Sequence, residues 1–179
     1  MTAVLEIVRL DAAQARALAS QLGDVLADCV AGGASVSFMS PFPAAEAQAY
    51  FAGVAEEVAR DEAAILAARL DGRVVGTVQL SLHTPPNQPH RADVRKMLVH
   101  RSARRQGVGA ALMLAAEKLA AELGRTVLVL DTVTGGAGER LYAGLGWTRV
   151  GEIPDYALLP EGGLVATTVF WKHVSPTPR

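Results

Sequence analysis

The sequence predicts a mixed α/β fold in which one mostly antiparallel sheet of about seven strands carries helices on both faces. Segments with a strand period and segments with a helix period alternate along the 179 residues. One late strand, "TVLVLDTV", is apolar almost throughout, as expected where both faces of a sheet are covered. No repeat, long linker or change of composition divides the chain, so we expect a single domain over residues 1–174 and a disordered tail over residues 175–179.

The first third of the chain predicts one strand and two helices. "AVLEIVRL" alternates apolar and polar residues and indicates the first strand. An Ala/Leu-rich pattern then predicts a helix that begins after Asp11, its N-cap, and ends near Ala31, before Gly32 and Gly33. After the loop "GGASVSFMSPFP", the segment "AAEAQAYFAGVAEEVARDEA" predicts the second helix.

The middle of the chain predicts a hairpin, a further strand and a long helix. "AILAARL" and "VVGTVQLSLH" are strands joined by Asp71-Gly72, the strongest short hairpin signal in the sequence. The proline-rich loop "TPPNQPHR" leads to the strand "ADVRKMLVH". The helix after it ends at Gly124, and its apolar residues recur at helical spacing. Its buried face is expected to carry Val108, Leu112, Ala115, Leu119 and Leu123.

The last third predicts the strand "TVLVLDTV", a short helix "GERLYAGLG", and a closing antiparallel pair of strands, "WTRVGEI" and "LVATTVFWKHV". An exposed last strand is able to pair with a second chain, so this pattern allows a homodimer.

Charge and composition exclude several classes of protein. The 17 basic and 18 acidic residues give a net charge of −1, without the overall basic bias of a protein that binds nucleic acid over a broad surface. Cys29 is the only cysteine, which rules out an intrachain disulfide and a Cys-rich zinc site, and no two of the four histidines stand at metal-ligand spacing. We therefore expect no metal and no nucleic-acid partner.

The hydrophobic pattern also argues against a membrane protein. No segment approaches the ~18 uninterrupted apolar residues of a membrane span. The first residues lack a basic stretch ahead of an apolar core, so no secretory signal is expected. The sequence therefore predicts a cytoplasmic location with no membrane partner.

The most informative stretch is "RRQGVGAALM", which joins a strand to a long helix. Gly107 and Gly109 allow the backbone to approach a ligand closely, and the first N–H groups of the helix favour an anion. Arg104 and Arg105 add donors suited to phosphate oxygens. This arrangement predicts a site for a pyrophosphate, and a tight turn with solvated arginines is the alternative.

Three phosphate-binding patterns compete for this stretch. A Walker A loop needs Gly-Lys-Ser/Thr, which is absent, and a dinucleotide fingerprint needs a third glycine where Met113 stands. The pattern Arg/Gln-x-x-Gly-x-Gly/Ala is matched in full by residues 104–109.

With "KMLVHRSARRQGVGAALM" followed by "GERLYAGLGW", the chain resembles the GNAT superfamily of acyl-CoA-dependent N-acyltransferases over roughly residues 4–174. The resemblance implies acetyl-CoA as the acyl donor and a fourth strand that carries a bulge and splays from the fifth. It implies that backbone groups of Met97, Leu98 and Val99 bind the pantetheine arm. It also implies that the turn binds the pyrophosphate through Arg104, Arg105, Gln106, Gly107, Val108, Gly109 and Ala110.

Acyl transfer to an amine requires a neutral amine, donors for the developing oxyanion and a proton for the departing thiolate. By resemblance, the backbone N–H of Leu98 or Val99 polarises the thioester carbonyl, and Tyr142 in "RLYAGLGW" is the general acid, with a core tyrosine as the alternative. Asp131, which ends an apolar strand, is the first choice for contacting the substrate amine. Asp93 is the second candidate, and Glu152 is a third.

The chain departs from the family at the start of the short helix. Many relatives carry an asparagine there that contacts the coenzyme, whereas this chain has Gly135 and Gly136. Gly136 is therefore the expected contact, and backbone groups of residues 136–138 would replace the asparagine side chain.

The segments "PNQPHRADVRKMLVH", "LDTVTGGAGERLY" and "IPDYALLPEGGLVATTVFWK" are similar to acetyltransferases of the tabtoxin-resistance type. This resemblance implies a small amino-acid-like acceptor of the β-lactam toxin kind, a role in toxin or antibiotic resistance, and direct attack in a ternary complex. The loops "GGASVSFMSPFP" and "TPPNQPHR" would form the acceptor pocket. Its expected wall residues are Phe38, Met39, Phe42 and His90. Acetylation of protein amines and an acyl-CoA sensor without turnover are the competing functions.

Overall fold

The computed structural model describes residues 4–175 and confirms the predicted mixed α/β fold. Its strands are β1 Leu5–Leu10, β2 Ala63–Leu70, β3 Arg73–Ser81, β4 Arg91–Val99, β5 Val127–Val133, β6 Thr148–Leu158 and β7 Leu164–His173. Its α-helices are α1 Ala12–Ala17, α2 Ala19–Ala31, α3 Ala44–Ala59, α4 Val108–Glu122 and α5 Ala137–Gly144. Residues 176–179 of the tail predicted to be disordered lie outside the described residues.

The first predicted helix is two helices in the structure. Asp11 caps α1 as predicted, because its carboxylate accepts from the N–H of Gln14 at 2.8 Å while the Gln14 side chain accepts from the Asp11 N–H at 3.0 Å. Leu18 leaves helical geometry (φ −97°, ψ 5°) and separates α1 from α2. The Leu18 N–H still donates to the Gln14 carbonyl, and the Leu18 carbonyl accepts from the Leu22 N–H, both at 2.9 Å. The break therefore needs no glycine or proline, and the sequence carries no signal for it.

The predicted hairpin joins β2 to β3. Asp71 and Gly72 both have positive φ, 50° and 81°, which is the geometry of a tight two-residue turn whose twist matches the flanking strands. Leu70 pairs with Arg73 directly across the turn. The hairpin brings β3 beside β4, where the site is built.

The predicted splay lies between β4 and β5, which pair in parallel. They pair only from Arg91 with Val127 to Asp93 with Val129, and beyond those residues the strands separate. On its other side β4 carries the expected bulge, because the register with β3 shifts between Thr77 and Gln79 and Lys96 adopts φ 51°. We call the opening between β4 and β5 beyond Asp93 and Val129 the wedge.

The strand order is β1-β2-β3-β4-β5-β7-β6. The expectation of an exposed last strand is therefore wrong, since β7 lies between β5 and β6 and has neighbours on both sides. Leu128 on β5 pairs with Lys172, and Thr168 pairs with Glu152 on β6. The edge strand at this end of the sheet is β6.

Each face of the sheet carries its own core. On one face α4 packs through Val108, Leu112 and Leu119, which are at most 5% exposed, while the predicted Ala115 and Leu123 are only partly buried at the rim. On the other face α2 covers β3 and α3 covers β2, while α1 packs against α3 and β1. Residues at the centre of this second core include Leu10, Leu22, Leu26, Phe51, Ile65 and Leu98.

Candidate active site

A turn with free backbone N–H groups lies at the start of α4. Arg105 and Gly107 have φ of 61° and 79°, and the first helical hydrogen bond runs from the Ala111 N–H to the Gly107 carbonyl at 3.0 Å. Within the described part of the chain, no acceptor is bonded to the N–H groups of residues 105–110. We call these six groups the N–H cradle. Free N–H groups at the start of a helix favour an anion, and their binding of the acetyl-CoA pyrophosphate remains a prediction.

Glycine is required at positions 107 and 109 of the turn for two different reasons. Gly107 adopts the left-handed conformation in open space, so the constraint there is backbone geometry. A Cβ on Gly109 would lie 3.3 Å from the Leu141 side chain and 3.9 Å from the Met97 side chain. Gly109 therefore allows the start of α4 to approach both β4 and α5.

The three arginines around the turn have separate surroundings. Arg101 is bound by Asp28, which accepts from its backbone N–H at 2.9 Å and pairs with its guanidinium. Arg104 donates from Nε to the Val99 carbonyl at 3.2 Å. Arg105 is exposed, and its side chain makes no hydrogen bond to any residue from 4 to 175. Binding of phosphate by Arg104 and Arg105 remains a prediction. Arg105 could bind a phosphate without breaking an existing hydrogen bond, whereas Arg104 would first have to release the Val99 carbonyl.

The edge of β4 that faces the wedge is set by the strand register. The His100 N–H donates to the Val75 carbonyl at 2.9 Å, and Leu98 pairs with Thr77. Because backbone groups alternate along an antiparallel strand, those of Leu98 point to β3 and those of Val99 point away from it. Of the residues predicted to bind pantetheine, the geometry therefore favours Val99, and Met97 in the bulge, over Leu98.

Tyr142 on α5 is the predicted acid. It is 6% exposed, and its ring centroid lies 6.1 Å from those of Trp147 and Phe170. Burial, and to a smaller degree the negative charge of Asp131, raises the pKa of Tyr142 to about 12. Its hydroxyl makes no hydrogen bond within residues 4–175, so it is able to donate to a ligand.

Two glycines position α5. A Cβ on Gly138 would lie 2.6 Å from the Thr132 hydroxyl oxygen and 3.3 Å from Tyr142 Cε2, so this glycine allows α5 to pack directly on β5. The Gly136 N–H donates to the Val133 carbonyl at 3.2 Å. The Gly136 N–H, a predicted coenzyme contact, is therefore already used, and the next N–H groups along α5 are better placed for that role.

The three candidate carboxylates lie in different environments. Asp131 is exposed and accepts from the Thr167 hydroxyl at 2.8 Å. Asp93 pairs with Arg91 at the base of the wedge. Glu152 pairs with Arg149 at 3.2 Å on the edge strand. The structure brings Asp131 near Tyr142, since its charge acts on the phenol, and the catalytic roles of all three remain predictions.

A cavity of about 420 Å³ opens beside Asp131, and we call it the main cavity. Phe38 and Met39 are in its wall, as expected for the first loop. Phe42 instead lines a separate, more open cavity, and His90 lines neither. The wall of the main cavity comprises Ser35, Ser37, Phe38, Met39, Asp131, Thr132, Val133, Tyr156, Ala157, Leu158, Val165, Ala166 and Thr167.

Sequence reasoning missed Lys96, whose ammonium donates to the Ser37 hydroxyl at 3.1 Å beside this cavity. It also missed a polar cluster under the loop, in which the Tyr50 hydroxyl and Arg95 Nε both donate to the Gln79 side-chain carbonyl at 3.1 Å. The adjacent polar residues Arg95 and Lys96, which interrupt the alternation of β4, were the available signal for the bulge.

No helix of residues 4–175 is both long and apolar enough to cross a membrane. Across the same residues, His, Cys, Asp and Glu side chains form no group suited to a metal ion.

Known proteins resemble the chain in sequence. The sequence model of the Acetyltransferase (GNAT) family matches residues 33–147. Aminoglycoside N(6')-acetyltransferase type 1 of Klebsiella aerogenes is 35% identical over 101 residues. That match covers 54% of this chain and 66% of the relative, just under two thirds of its length.

Solved structures resemble the chain in fold. An N-acetyltransferase from Staphylococcus aureus superposes with a TM-score of 0.80 at 16% identity, covering 96% of this chain and 99% of that one. A GNAT superfamily phosphinothricin acetyltransferase from Sinorhizobium meliloti, solved with acetyl-CoA, gives 0.75 at 18% identity, covering 98% and 90%. At these identities the likeness is one of fold.

Proposed function

The chain belongs to the GNAT acetyltransferase family, and we propose that it transfers the acetyl group of acetyl-CoA to the primary amine of a small amino-acid-like acceptor. The observation that carries this proposal is the wedge, whose β4 edge runs through Val99 toward the N–H cradle and whose β5 edge carries Asp131 in the wall of the main cavity. The N–H cradle lies at the start of α4, the main cavity lies beside Asp131, and Tyr142 lies between β5 and α5. We also propose that residues 1–174 form one catalytic domain.

The N–H cradle and the wedge-facing edge of β4 would hold the coenzyme. Acetyl-CoA supplies the activated acetyl group as a thioester. The cradle and Arg105 would bind its pyrophosphate, and the backbone groups of Met97 with the N–H of Val99 would bind the pantetheine arm and its thioester as an added strand does. The Val99 carbonyl already accepts from Arg104 Nε, so the N–H is the free backbone group of Val99.

A backbone N–H on the bulged strand would stabilise the charge that develops on the thioester oxygen. The register favours Val99 over Leu98 for this donor, because the Leu98 N–H points to β3. Fixed backbone donors need no reorganisation during the reaction, which is why a bulge of fixed geometry suits this role.

Tyr142 would protonate the departing thiolate. Proton transfer from a phenol with a pKa of about 12 to the thiolate of a thiol with a pKa near ~8.5 is uphill by ~5 kcal/mol. Part of this cost falls when the acceptor amine becomes positively charged during attack, since a cation beside Asp131 cancels the carboxylate charge that helps to raise the phenol pKa. Amine attack and proton donation are coupled through Asp131 in this scheme.

Asp131 would orient the acceptor amine and take its excess proton. It ends β5 at the wall of the main cavity, and Thr167 fixes one of its oxygens. Asp93 is the second candidate, but its carboxylate is already paired with Arg91. We propose direct attack in a ternary complex, in which the cradle and the wedge-facing edge of β4 would hold acetyl-CoA while the main cavity would hold the acceptor.

Two acceptor classes compete. Resemblance to the tabtoxin-resistance type supports an amino-acid-like acceptor and a resistance role, whereas the Klebsiella aerogenes relative supports an aminoglycoside. Aminoglycosides are polycations, and Asp131 is the only carboxylate in the wall of the main cavity. The charge of the cavity therefore favours the amino-acid-like class.

The test is thiol release from acetyl-CoA with amino acids, polyamines, aminoglycosides and short peptides. Tyr142→Phe should lower kcat about tenfold or more with the preferred amine. Tyr156→Phe is the matched control, because that exposed tyrosine lines the main cavity away from α5 and should change at most the acceptor KM. Peptides as the preferred acceptors would refute the small-molecule assignment, and acetyl-CoA binding without release from any amine would indicate a sensor.

A further inference from the structure

The bulge of β4 carries a lysine, Lys96, whose ammonium contacts two residues in the wall of the main cavity. Lys96 adopts φ 51°, a left-handed conformation that is uncommon outside glycine, at the position where the register with β3 shifts. A conformation of this kind persists only where surrounding contacts stabilise it. The side chain of Lys96 therefore has a fixed direction, set by the strand that also forms the wedge.

The Lys96 ammonium is bound by the loop that walls the cavity. It donates to the Ser37 hydroxyl at 3.1 Å and lies 5.5 Å from the Phe38 ring centroid and 5.9 Å from the Tyr50 ring centroid. Rings at these distances attract a cation through their faces. An ammonium has three donors, and one is used, so two remain for a ligand.

Lys96 differs from the other cations of β4 in having no carboxylate partner. Arg91 pairs with Asp93 and Arg95 pairs with Glu57, while Lys96 forms no ion pair within residues 4–175. Burial, followed by the charge of Arg95, lowers the pKa of Lys96, and the charge of Asp131 acts in the opposite direction. The environment thus holds a positive charge that an added anion would stabilise.

One negative charge lines the main cavity, and one positive charge lies directly against its wall. Ser37 and Phe38, which contact the Lys96 ammonium, and Asp131 all belong to the wall of the main cavity. We propose that Lys96 binds a carboxylate of the acceptor while Asp131 holds its amine, so that the enzyme selects amines that carry a carboxylate. This inference rests on the function proposed above and assigns its specificity to one residue.

The test compares amines with and without the carboxylate: L-lysine with cadaverine, L-ornithine with putrescine, and L-phenylalanine with phenethylamine. Thiol release from acetyl-CoA is measured for the full chain, for Lys96→Gln and for Lys96→Arg. Lys118→Gln is the matched control, because that lysine on α4 has a 75% exposed side chain. Kanamycin is included as a polycation without a carboxylate.

In each pair that reacts, we expect kcat/KM to be about tenfold or more higher for the member with the carboxylate. Lys96→Gln should remove this preference, mainly by raising the KM of the member that carries the carboxylate. Lys96→Arg should retain part of the preference, and Lys118→Gln should behave as the parent protein. Ser37→Ala should also weaken the preference for the amine with the carboxylate. The comparison of the paired amines in the parent protein does not depend on the folding of any variant.

Equal rates within the pairs, or a preference that survives in Lys96→Gln, would overturn the inference. Turnover of kanamycin or the diamines alone would also overturn it, while leaving acetyl transfer to small amines intact. Failure of the proposed function itself has a different signature, namely acetyl-CoA binding by calorimetry with no thiol release from any amine.

Discussion

Gly138 is the residue at which the packing of α5 on β5 is most directly testable. Replacing it by alanine would put a Cβ 2.6 Å from the Thr132 hydroxyl oxygen and 3.3 Å from Tyr142 Cε2. The first distance is far inside van der Waals contact, so either Thr132 rotates or α5 moves away from β5. Rotation of Thr132 leaves the tight contact with Tyr142, so the proposed acid shifts in both cases.

The expected size follows from two opposing effects. Overpacking costs ~1–3 kcal/mol, and alanine in place of glycine in a helix returns ~0.5–1 kcal/mol. The net loss for Gly138→Ala is thus ~0–2.5 kcal/mol, or a Tm lower by up to ~10 °C for a chain of this size. Displacement of Tyr142 from the reacting sulfur should lower kcat about tenfold.

Gly144→Ala is the matched control in the same helix, because nothing lies within 4 Å of its added Cβ and its φ is not positive. It should leave activity unchanged and keep or raise the Tm. Thermal unfolding and steady-state thiol release report the two quantities, and Thr132→Ala added to Gly138→Ala should recover part of the Tm. If Gly138→Ala is as stable and as active as Gly144→Ala, the packing argument for Tyr142 is incorrect.

Three other outcomes follow from the site. Because the raised pKa of about 12 keeps the Tyr142 phenol protonated, kcat should show no fall from its ionisation between pH ~8 and ~10. A fall of kcat near pH ~9 that disappears in Tyr142→Phe would contradict this expectation. The folding stability linked to the phenol is fully present below pH ~10 and is lost as the pH rises toward about 12, which thermal unfolding at different pH values would detect. Asp131→Asn should lower kcat/KM for the acceptor about tenfold or more, whereas Asp93→Asn should have a smaller effect, and the reverse order in a kinetic comparison would exchange their roles. Arg105→Gln should raise the KM for acetyl-CoA and reduce its salt dependence, while Arg101→Gln should mainly lower the Tm because Arg101 is bound to Asp28; equal effects on KM would refute this separation.

Local signals in the sequence predicted much of the fold. The Asp71-Gly72 turn and the N-cap at Asp11 depend on residues close together in the sequence, and both are present. The N–H cradle was likewise predictable, because glycine spacing and helix geometry fix which N–H groups lack acceptors. The family resemblance supplied the splay of β4 from β5, which no local pattern specifies.

Features that depend on distant residues were not predictable. The break at Leu18 has no glycine or proline and follows from how α1 and α2 pack on α3. The position of β7 between β5 and β6 was also not predictable, because the alternation of apolar and polar residues predicts a strand but not its neighbours in the sheet. Lys96 was missed because its contacts with Ser37 and Tyr50 join segments 59 and 46 residues apart along the chain.

The central position of β7 has a consequence for the order in which the protein is made. Before β7 is inserted, β5 has only its three pairs with β4, and β6 has no neighbour. The first loop also depends on late residues, since the Ser35 hydroxyl donates to the Leu158 carbonyl at 2.8 Å and the Ser40 N–H donates to the Pro160 carbonyl at 2.9 Å. A chain still on the ribosome can form the hairpin and its helices, but the main cavity has no second wall until the final strand has left the exit tunnel. We therefore expect a protein truncated before β7 to lack the proposed acetyl transfer even with every proposed catalytic side chain present.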